Sequence, residues 1–173
     1  MKLAVKIAAG IITLSAFTAP AFAQNSASAL TSSSTTIIQP ITLTKVTDLT
    51  FGAVVKPTDT TTTVTINATT GARTFTGGNA VGGGTASSGR ATYTAGGEGG
   101  QTFSISVPAN FTLTSGANSL TVIPVVSAAT GTISGTLGAA GSASFGVGGS
   151  FLVATTTASG AYTGTFSATV AYN

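Results

Sequence analysis

The alternation of apolar and polar positions is clearest in the last fourteen residues of the chain, 160–173. Every second residue there is apolar, aromatic or glycine, and small or hydroxylated residues mostly lie between them. The alternating set is Gly160, Tyr162, Gly164, Phe166, Ala168, Val170 and Tyr172. A repeat of two residues is typical of a strand that buries one face. We therefore predict that this segment forms a strand, so that the C-terminus is part of a sheet and does not fray.

Shorter segments with the same period recur upstream, separated by turns rich in Gly, Pro and Asn. They cover residues 37–45, 48–55, 61–68, 73–76, 91–94, 101–107, 111–114, 120–126 and 150–154. In two glycine-rich stretches, 77–100 and 131–149, the only strand predicted is 91–94. No segment after residue 23 has the i, i+3, i+4, i+7 apolar repeat of an amphipathic helix. The sequence thus predicts an all-β fold, an immunoglobulin-like antiparallel β-sandwich of about 8 to 10 strands.

The N-terminus has the organisation of a signal peptide. Lys2 and Lys6 precede an apolar run, and Ala21-Phe22-Ala23 supplies the small residues of a cleavage site. No later apolar run is long enough for a membrane-spanning helix, so the protein is not expected to span a membrane. We predict export to the periplasm, the cell surface or the extracellular space. The expected parts are a signal peptide at 1–23, a flexible N-terminal arm at 24–36 and a single β-sandwich domain at 37–173.

Few residues of the chain are charged, and this argues against several kinds of partner. Six Lys and Arg residues accompany three acidic ones, and removal of the predicted signal peptide with Lys2 and Lys6 leaves four basic residues. Nucleic acids and anionic lipids are bound by clustered Lys and Arg that displace counterions. The four remaining basic residues are scattered along the sequence. We therefore expect no nucleic-acid partner.

The residue types needed for most catalytic and metal sites are missing. The chain has no His and no Cys, so Ser-His pairs, Cys-His pairs, the usual zinc sites and disulfides cannot form. Asp48, Asp59 and Glu98 are the only carboxylate side chains, and each lies in a turn-like context. The glycines of 77–84 lack the Lys-Ser/Thr ending and the following helix of a phosphate-binding loop. We therefore predict a protein that is not an enzyme, with no cofactor, no catalytic residue and no metal site.

Four short motifs occur along the chain: I-Q-P-I-T at 38–42, D-L-T-F-G at 48–52, G-E-G at 97–99 and F-G-V-G-G at 145–149. Together with the closing segment 160–173, they resemble a bacterial family of secreted proteins known only as a domain of unknown function. That family is in turn similar to pilin-like subunits of the chaperone-usher type, including relatives of spore coat protein U. Such subunits end in a strand that has a glycine fourteen residues from the C-terminus and a penultimate tyrosine, positions that Gly160 and Tyr172 occupy here.

The resemblance implies a way of assembling. In chaperone-usher pilins the terminal strand pairs with a periplasmic chaperone, and the N-terminal arm of a neighbouring subunit later completes the sandwich by β-strand addition. By this resemblance, the alternating residues of 160–172 form a strand-pairing edge. The arm at 24–36 is the candidate donor strand, with Ala27, Ala29 and Leu30 as its apolar residues. The implied partners are a periplasmic chaperone, an usher and further copies of the chain in a homo-oligomer or filament.

The function we expect is that of an exported cell-surface structural protein, a subunit of a pilus or fimbria-like assembly. One alternative is a self-contained secreted or surface-attached β-sandwich for adhesion or binding. A small outer-membrane β-barrel is a further alternative, although most of the predicted strands are shorter than such a barrel needs. A functional amyloid would be expected to contain internal repeats, and the sequence contains none of fixed period.

Overall fold

The computed structural model describes residues 26–173, and the predicted signal peptide and the first two residues of the predicted arm lie outside this range. Within it the chain forms strands and no helix, which confirms the predicted all-β fold. The strands are β1 (Thr42–Thr47), β2 (Ala53–Val55), β3 (Thr62–Ile66), β4 (Arg73–Gly77), β5 (Val81–Gly83), β6 (Ala91–Glu98), β7 (Thr102–Ser106), β8 (Phe111–Ser115), β9 (Asn118–Val126), β10 (Thr130–Thr132), β11 (Ala140–Val153) and β12 (Thr169–Tyr172).

The chain divides into two units, Met1–Thr35 and Thr36–Asn173. Of the first unit, residues 26–35 are described, and they have no regular secondary structure. Their side chains are all exposed. The second unit contains every strand of the described chain, and the following paragraphs concern it.

The largest sheet is organised around β11, the longest strand. Ala140–Val147 of β11 pairs with β6, and Gly149–Val153 pairs with β3 along the same edge. On the opposite edge, Val147–Ser150 pairs with β9. All pairs are antiparallel. Successive hydrogen-bonded neighbours in this sheet are β1, β6, β11, β3 and β4, so β6 and β3 both pair with β11. The hairpin of β8 and β9 joins the sheet through β11.

A second sheet of three strands, in the order β10, β7, β12, shares a hydrophobic core with the β1, β6 and β11 part of the first. Two layers of antiparallel strands around one core are the architecture of a sandwich. The buried residues of this core are Ala91, Tyr93, Ala95, Phe103, Ile105, Ile133, Phe145 and Val147. A neighbouring cluster of Val64, Val122, Phe151 and Val153 continues the interior toward β3 and β9. A separate two-stranded sheet pairs β2 with β5.

The prediction for the two glycine-rich stretches was incomplete, because they contain β5, a longer β6, β10 and most of β11. The glycines within these strands lie where another group occupies the space of a side chain. A Cβ at Gly131 would overlap the ring of Phe103, and one at Gly148 would overlap the carbonyl oxygen of Ile66. The strands therefore lack the alternation of large apolar residues that predicts a strand. The total of twelve strands in 26–173 exceeds the predicted range for this reason.

The C-terminal segment is only partly a regular strand. Side chains alternate between half-buried and exposed from Phe166 to Tyr172, as predicted, but only Thr169–Tyr172 is paired as a strand, with β7. Thr163 forms an isolated bridge with Thr114. Five residues, 164–168, lie between these two points, whereas seven residues, 107–113, lie between Ser106 and Thr114 on the opposite segment. The opposite segment includes Pro108, which cannot donate a backbone hydrogen bond. The two extra residues and this proline interrupt the predicted continuous strand.

Candidate functional site

A groove of about 820 Å³ opens into the hydrophobic interior of the domain. One wall is formed by residues 45–56, from the end of β1 to the residue after β2, and the other by residues 157–166, which precede β12. Between the walls lie inward-facing side chains of the large sheet and of the β8–β9 hairpin. The main apolar residues there are Ala91, Tyr93, Phe111, Leu113, Leu120, Phe151 and Val153. The groove is therefore an access from solvent to the core.

Aromatic pairs fix both walls to the floor of the groove. Phe51 of the first wall packs edge to face on Phe151 of β11, with 4.8 Å between the ring centroids. Phe166 of the second wall stacks on Phe111 of β8, also at 4.8 Å. Such pairs each stabilise a fold by about 0.5–1.5 kcal/mol beyond the area that they bury. The apolar lining is thus a preformed part of the domain.

The end of the second wall and the two residues after it, 164–168, have backbone groups without a backbone partner. Among residues 26–173, no backbone hydrogen bond involves 164–168, and β12 lies at the edge of its three-stranded sheet with β7 as its one neighbour. Unpaired backbone groups along an extended segment are a template for the addition of another strand. The open edge and the groove lie side by side.

The direction of these backbone groups follows from two hydrogen bonds. The amide of Thr163 donates to the carbonyl oxygen of Thr114 in β8 at 3.0 Å. The amide of Asn173 donates to the carbonyl oxygen of Thr102 in β7 at 3.2 Å. Because backbone groups alternate in direction along an extended chain, odd-numbered residues donate toward β7 and β8. Even-numbered residues, among them Ala168, direct their amides to the open edge.

Hydrogen bonds around Glu98 join the segment before β1 to the end of β12. Glu98 ends β6 and is buried, with 2 % of its surface exposed. One carboxylate oxygen accepts the amide of Gln39 at 3.2 Å, and the other accepts the amide of Gly138. The hydroxyl of Tyr172 accepts the amide of Glu98 at 2.8 Å and donates to the carbonyl oxygen of Gln39 at 3.0 Å. We call Gln39, Glu98, Gly138 and Tyr172 the Glu98 network.

The Glu98 network explains the G-E-G motif. A Cβ at Gly97 would overlap the hydroxyl oxygen of Tyr172, so glycine leaves room for that ring. Both carboxylate oxygens of Glu98 accept backbone amides, and this satisfies the buried charge locally. Sequence reasoning placed Glu98 in a turn and missed this role. The available signal was an acidic residue between two glycines in a chain with so few carboxylates.

The predicted strand-pairing residues fall into two groups. Gly160, Tyr162, Gly164 and Phe166 line the groove. The remaining three, Ala168, Val170 and Tyr172, pack against the core shared by the two sheets. The predicted donor-arm residues, Ala27, Ala29 and Leu30, are exposed and belong to the other unit of the chain. Sequence reasoning did not identify the wall at 45–56.

The three carboxylates lie in separate environments. Asp48 pairs with Lys45 at the groove, and this hydrogen bond and charge raise the pKa of Lys45. Asp59 accepts the amides of Asn79 at 3.0 Å and Thr60 at 2.6 Å in a turn, and these bonds lower its pKa. Glu98 lies in its own network. In residues 26–173 no three acidic side chains come together as a group that could hold a metal ion.

Gly97→Ala is expected to destabilise the domain by about 1–3 kcal/mol, because the added methyl group overlaps the Tyr172 hydroxyl. Tyr172→Phe removes that hydroxyl and also leaves the amide of Glu98 without its partner. The double variant should therefore be more stable than the sum of the two single effects predicts, by about 1 kcal/mol. Urea unfolding of the four proteins measures this coupling. Strictly additive effects would contradict the overlap.

Comparisons with known proteins identify a family and no individual relative. Of the described residues, no helix has the length and apolarity needed to cross a membrane. No curated protein and no solved structure matches the chain. A family model matches residues 41–172, from the start of β1 to the end of β12. The matched part includes both walls of the groove and leaves out residues 24–40. The chain belongs to the family described as Domain of unknown function (DUF4402).

Proposed function

We propose that this chain is an exported structural protein of the cell surface, not an enzyme, and that it accepts a β-strand from a partner in its groove. Pilus and fimbria-like subunits assemble by such strand addition. The observation that carries the proposal is the open backbone edge at 164–168 beside an apolar groove of about 820 Å³. Backbone hydrogen bonds would supply affinity, and alternate side chains entering the groove would supply specificity.

The volume of the groove, about 820 Å³, favours a strand over a flat contact. An added strand would lie about 4.8 Å from the open edge, with every second side chain directed toward the floor. The floor there is apolar, formed by residues such as Phe111, Leu113 and Leu120. Burial of each large apolar side chain contributes about 1.5–3 kcal/mol. A strand with several such side chains would therefore complete the core.

Two sources can supply the strand. One is the arm of a second copy, with Ala27, Ala29 and Leu30, which would produce a homo-oligomer or filament. The other is a strand of a different protein, including a periplasmic chaperone that delivers the subunit to an usher. Export directed by a signal peptide at 1–23, which is then cleaved, is part of the same proposal.

A second candidate function is that of a self-contained secreted or surface-attached sandwich. The pairing of β12 with β7 and the Glu98 network favour it, because they fix the C-terminal strand within the domain. Such a domain would need no added strand to be stable. The experiment below distinguishes the two functions.

Ala168→Pro is expected to abolish strand addition while leaving the domain folded. Proline removes the amide that points to the open edge, and the extended residue before it is compatible with proline. The measurement is the fraction of the exported chain found in large, SDS-resistant assemblies on cells of its source organism. We expect the variant to remain monomeric with a near-parental thermal transition.

Ala168→Val is the matched control, since it keeps the amide and the direction of the side chain. It should assemble as the parent does. Equal assembly of the proline variant and the parent would rule out strand addition at this edge. If the parent forms no assembly, the self-contained sandwich is the better description.

A further inference from the structure

We propose that the strand bound in the groove comes from a different protein, with large apolar side chains at alternate positions and an acidic residue that reaches Lys56. This inference rests on the proposed function, because it names the partner of the same groove. The size of the groove, the sequence of the arm and the charge of the lining each support it.

The arm of this chain cannot place several large side chains into one groove. Leu30 is the only large apolar residue in 26–36. Successive side chains of a strand face opposite sides, so Leu30 shares its side with Ser28 and Ser32. Ala27 and Ala29 lie on the opposite side. Each register therefore offers one leucine or two alanines, and a shift by one residue exchanges these sets without improving either.

Ile37 and Ile38 do not make up for this shortage. They belong to the domain unit and are exposed to 89 % and 39 %. The amide and the carbonyl oxygen of the next residue, Gln39, are bound in the Glu98 network. Ile37 can therefore lie at most about 7 Å from Gln39. That reach is too short for the two isoleucines to extend along the groove of another copy.

The floor of the groove requires a larger filling than the arm provides. Protein interiors are packed as densely as organic crystals, and an unfilled apolar volume loses the contacts of every residue around it. Phe51, Phe111, Phe151 and Phe166 all border the space of about 820 Å³. Serine and alanine side chains would leave most of that space empty. Side chains of the size of leucine, isoleucine or phenylalanine match it.

Charge gives the second criterion for the partner. The charged residues that line the groove are Lys45, Asp48 and Lys56. Lys45 and Asp48 form an ion pair, whereas Lys56 has no ion-pair partner among residues 26–173. The lining therefore has one net positive charge. Residues 24–40, which include the arm, contain no Asp or Glu, so the arm offers no complementary charge. In a partner strand, an acidic residue would contribute mainly to specificity and association rate.

A consequence concerns the position of this chain in an assembly. A subunit that receives a strand but offers an arm with one large apolar side chain would bind strongly on one side only. Such a subunit occupies the end of a filament or forms a complex with a dedicated donor. The middle of a homopolymer requires both activities.

The test uses the chain from residue 24 to 173 and fluorescent peptides whose binding is measured by anisotropy. The first peptide is the arm itself, residues 24–36. The second has Ser28→Leu and Ser32→Leu, so that three leucines share one side. We expect the second to bind at least about tenfold more tightly than the first. Two further peptides are the second peptide with an aspartate added at its N-terminal end or at its C-terminal end. At low salt, one of these two should bind more tightly to the parent than to Lys56→Gln.

The outcomes separate this inference from the proposed function. Equal binding of the first and second peptides would overturn the foreign donor and leave strand addition standing. Equal effects of aspartate on the parent and on Lys56→Gln would overturn the charge criterion. Undiminished binding of the second peptide to Ala168→Pro, or no binding of any peptide to the parent, would overturn strand addition and this inference with it.

Discussion

Gly148→Ala is expected to destabilise the domain by about 2–3 kcal/mol, near the upper end of the usual cost of overpacking. A Cβ at this position would overlap the carbonyl oxygen of Ile66 and lie 2.7 Å from the amide nitrogen of Ala68. Both are backbone atoms of the neighbouring segment, residues 66–68, so no side-chain rotation can relieve the overlap. The thermal transition, followed by circular dichroism, should fall by about 5–10 °C.

Gly89→Ala is the matched control for this substitution. No atom lies within 4 Å of the added methyl group there, and Gly89 does not have a left-handed backbone conformation. The same chemical change should therefore alter stability by less than about 0.5 kcal/mol. Because alanine lowers the entropy of the unfolded chain, this change by itself does not destabilise an unstrained position. Equal losses of stability in the two variants would therefore contradict the overlap at Gly148 as the cause.

The importance of Gly148 also explains why most of β11 could not be predicted. The hydrophobic period identifies a strand only when its side chains fill the space on one face. In β11 the partner strand changes from β6 to β3 near Gly148. The backbone at the end of β3 and just after it fills the space of a side chain there. The information needed to see this lies in residues 66–68, some eighty positions away. A pattern read along β11 alone does not contain it.

The C-terminal segment illustrates what the pattern does contain. Alternation correctly indicated which side chains face the core from Phe166 to Tyr172, because that depends on the local extended geometry. It did not indicate where pairing stops. The interruption arises from the opposite chain, which has two more residues and Pro108 between the paired points. The extent of a strand is thus a property of two segments.

The same distinction applies to the groove. Tyr162 and Phe166, which line one wall, belong to the alternating set that the sequence shows. Nothing in the pattern indicated that residues 45–56 form the facing wall. Residues 48–55 were predicted as one strand, and the structure forms a strand only at Ala53–Val55. Phe51 instead packs against Phe151, a contact between residues a hundred positions apart. The open space between two walls depends on how such distant contacts place them.

Glu98→Gln is expected to destabilise the domain by about 1–3 kcal/mol, although it is nearly isosteric. The carboxylate accepts the amides of Gln39 and Gly138 on its two oxygens. A carboxamide can accept only one of them, and its NH₂ group would face the other donor in a buried site. Asp48→Asn makes the same change on a side chain that is 71 % exposed and should alter stability by less than about 0.5 kcal/mol. Urea unfolding compares the two, and a Glu98→Gln domain as stable as the parent would show that the network does not fix the junction of β1 and β12.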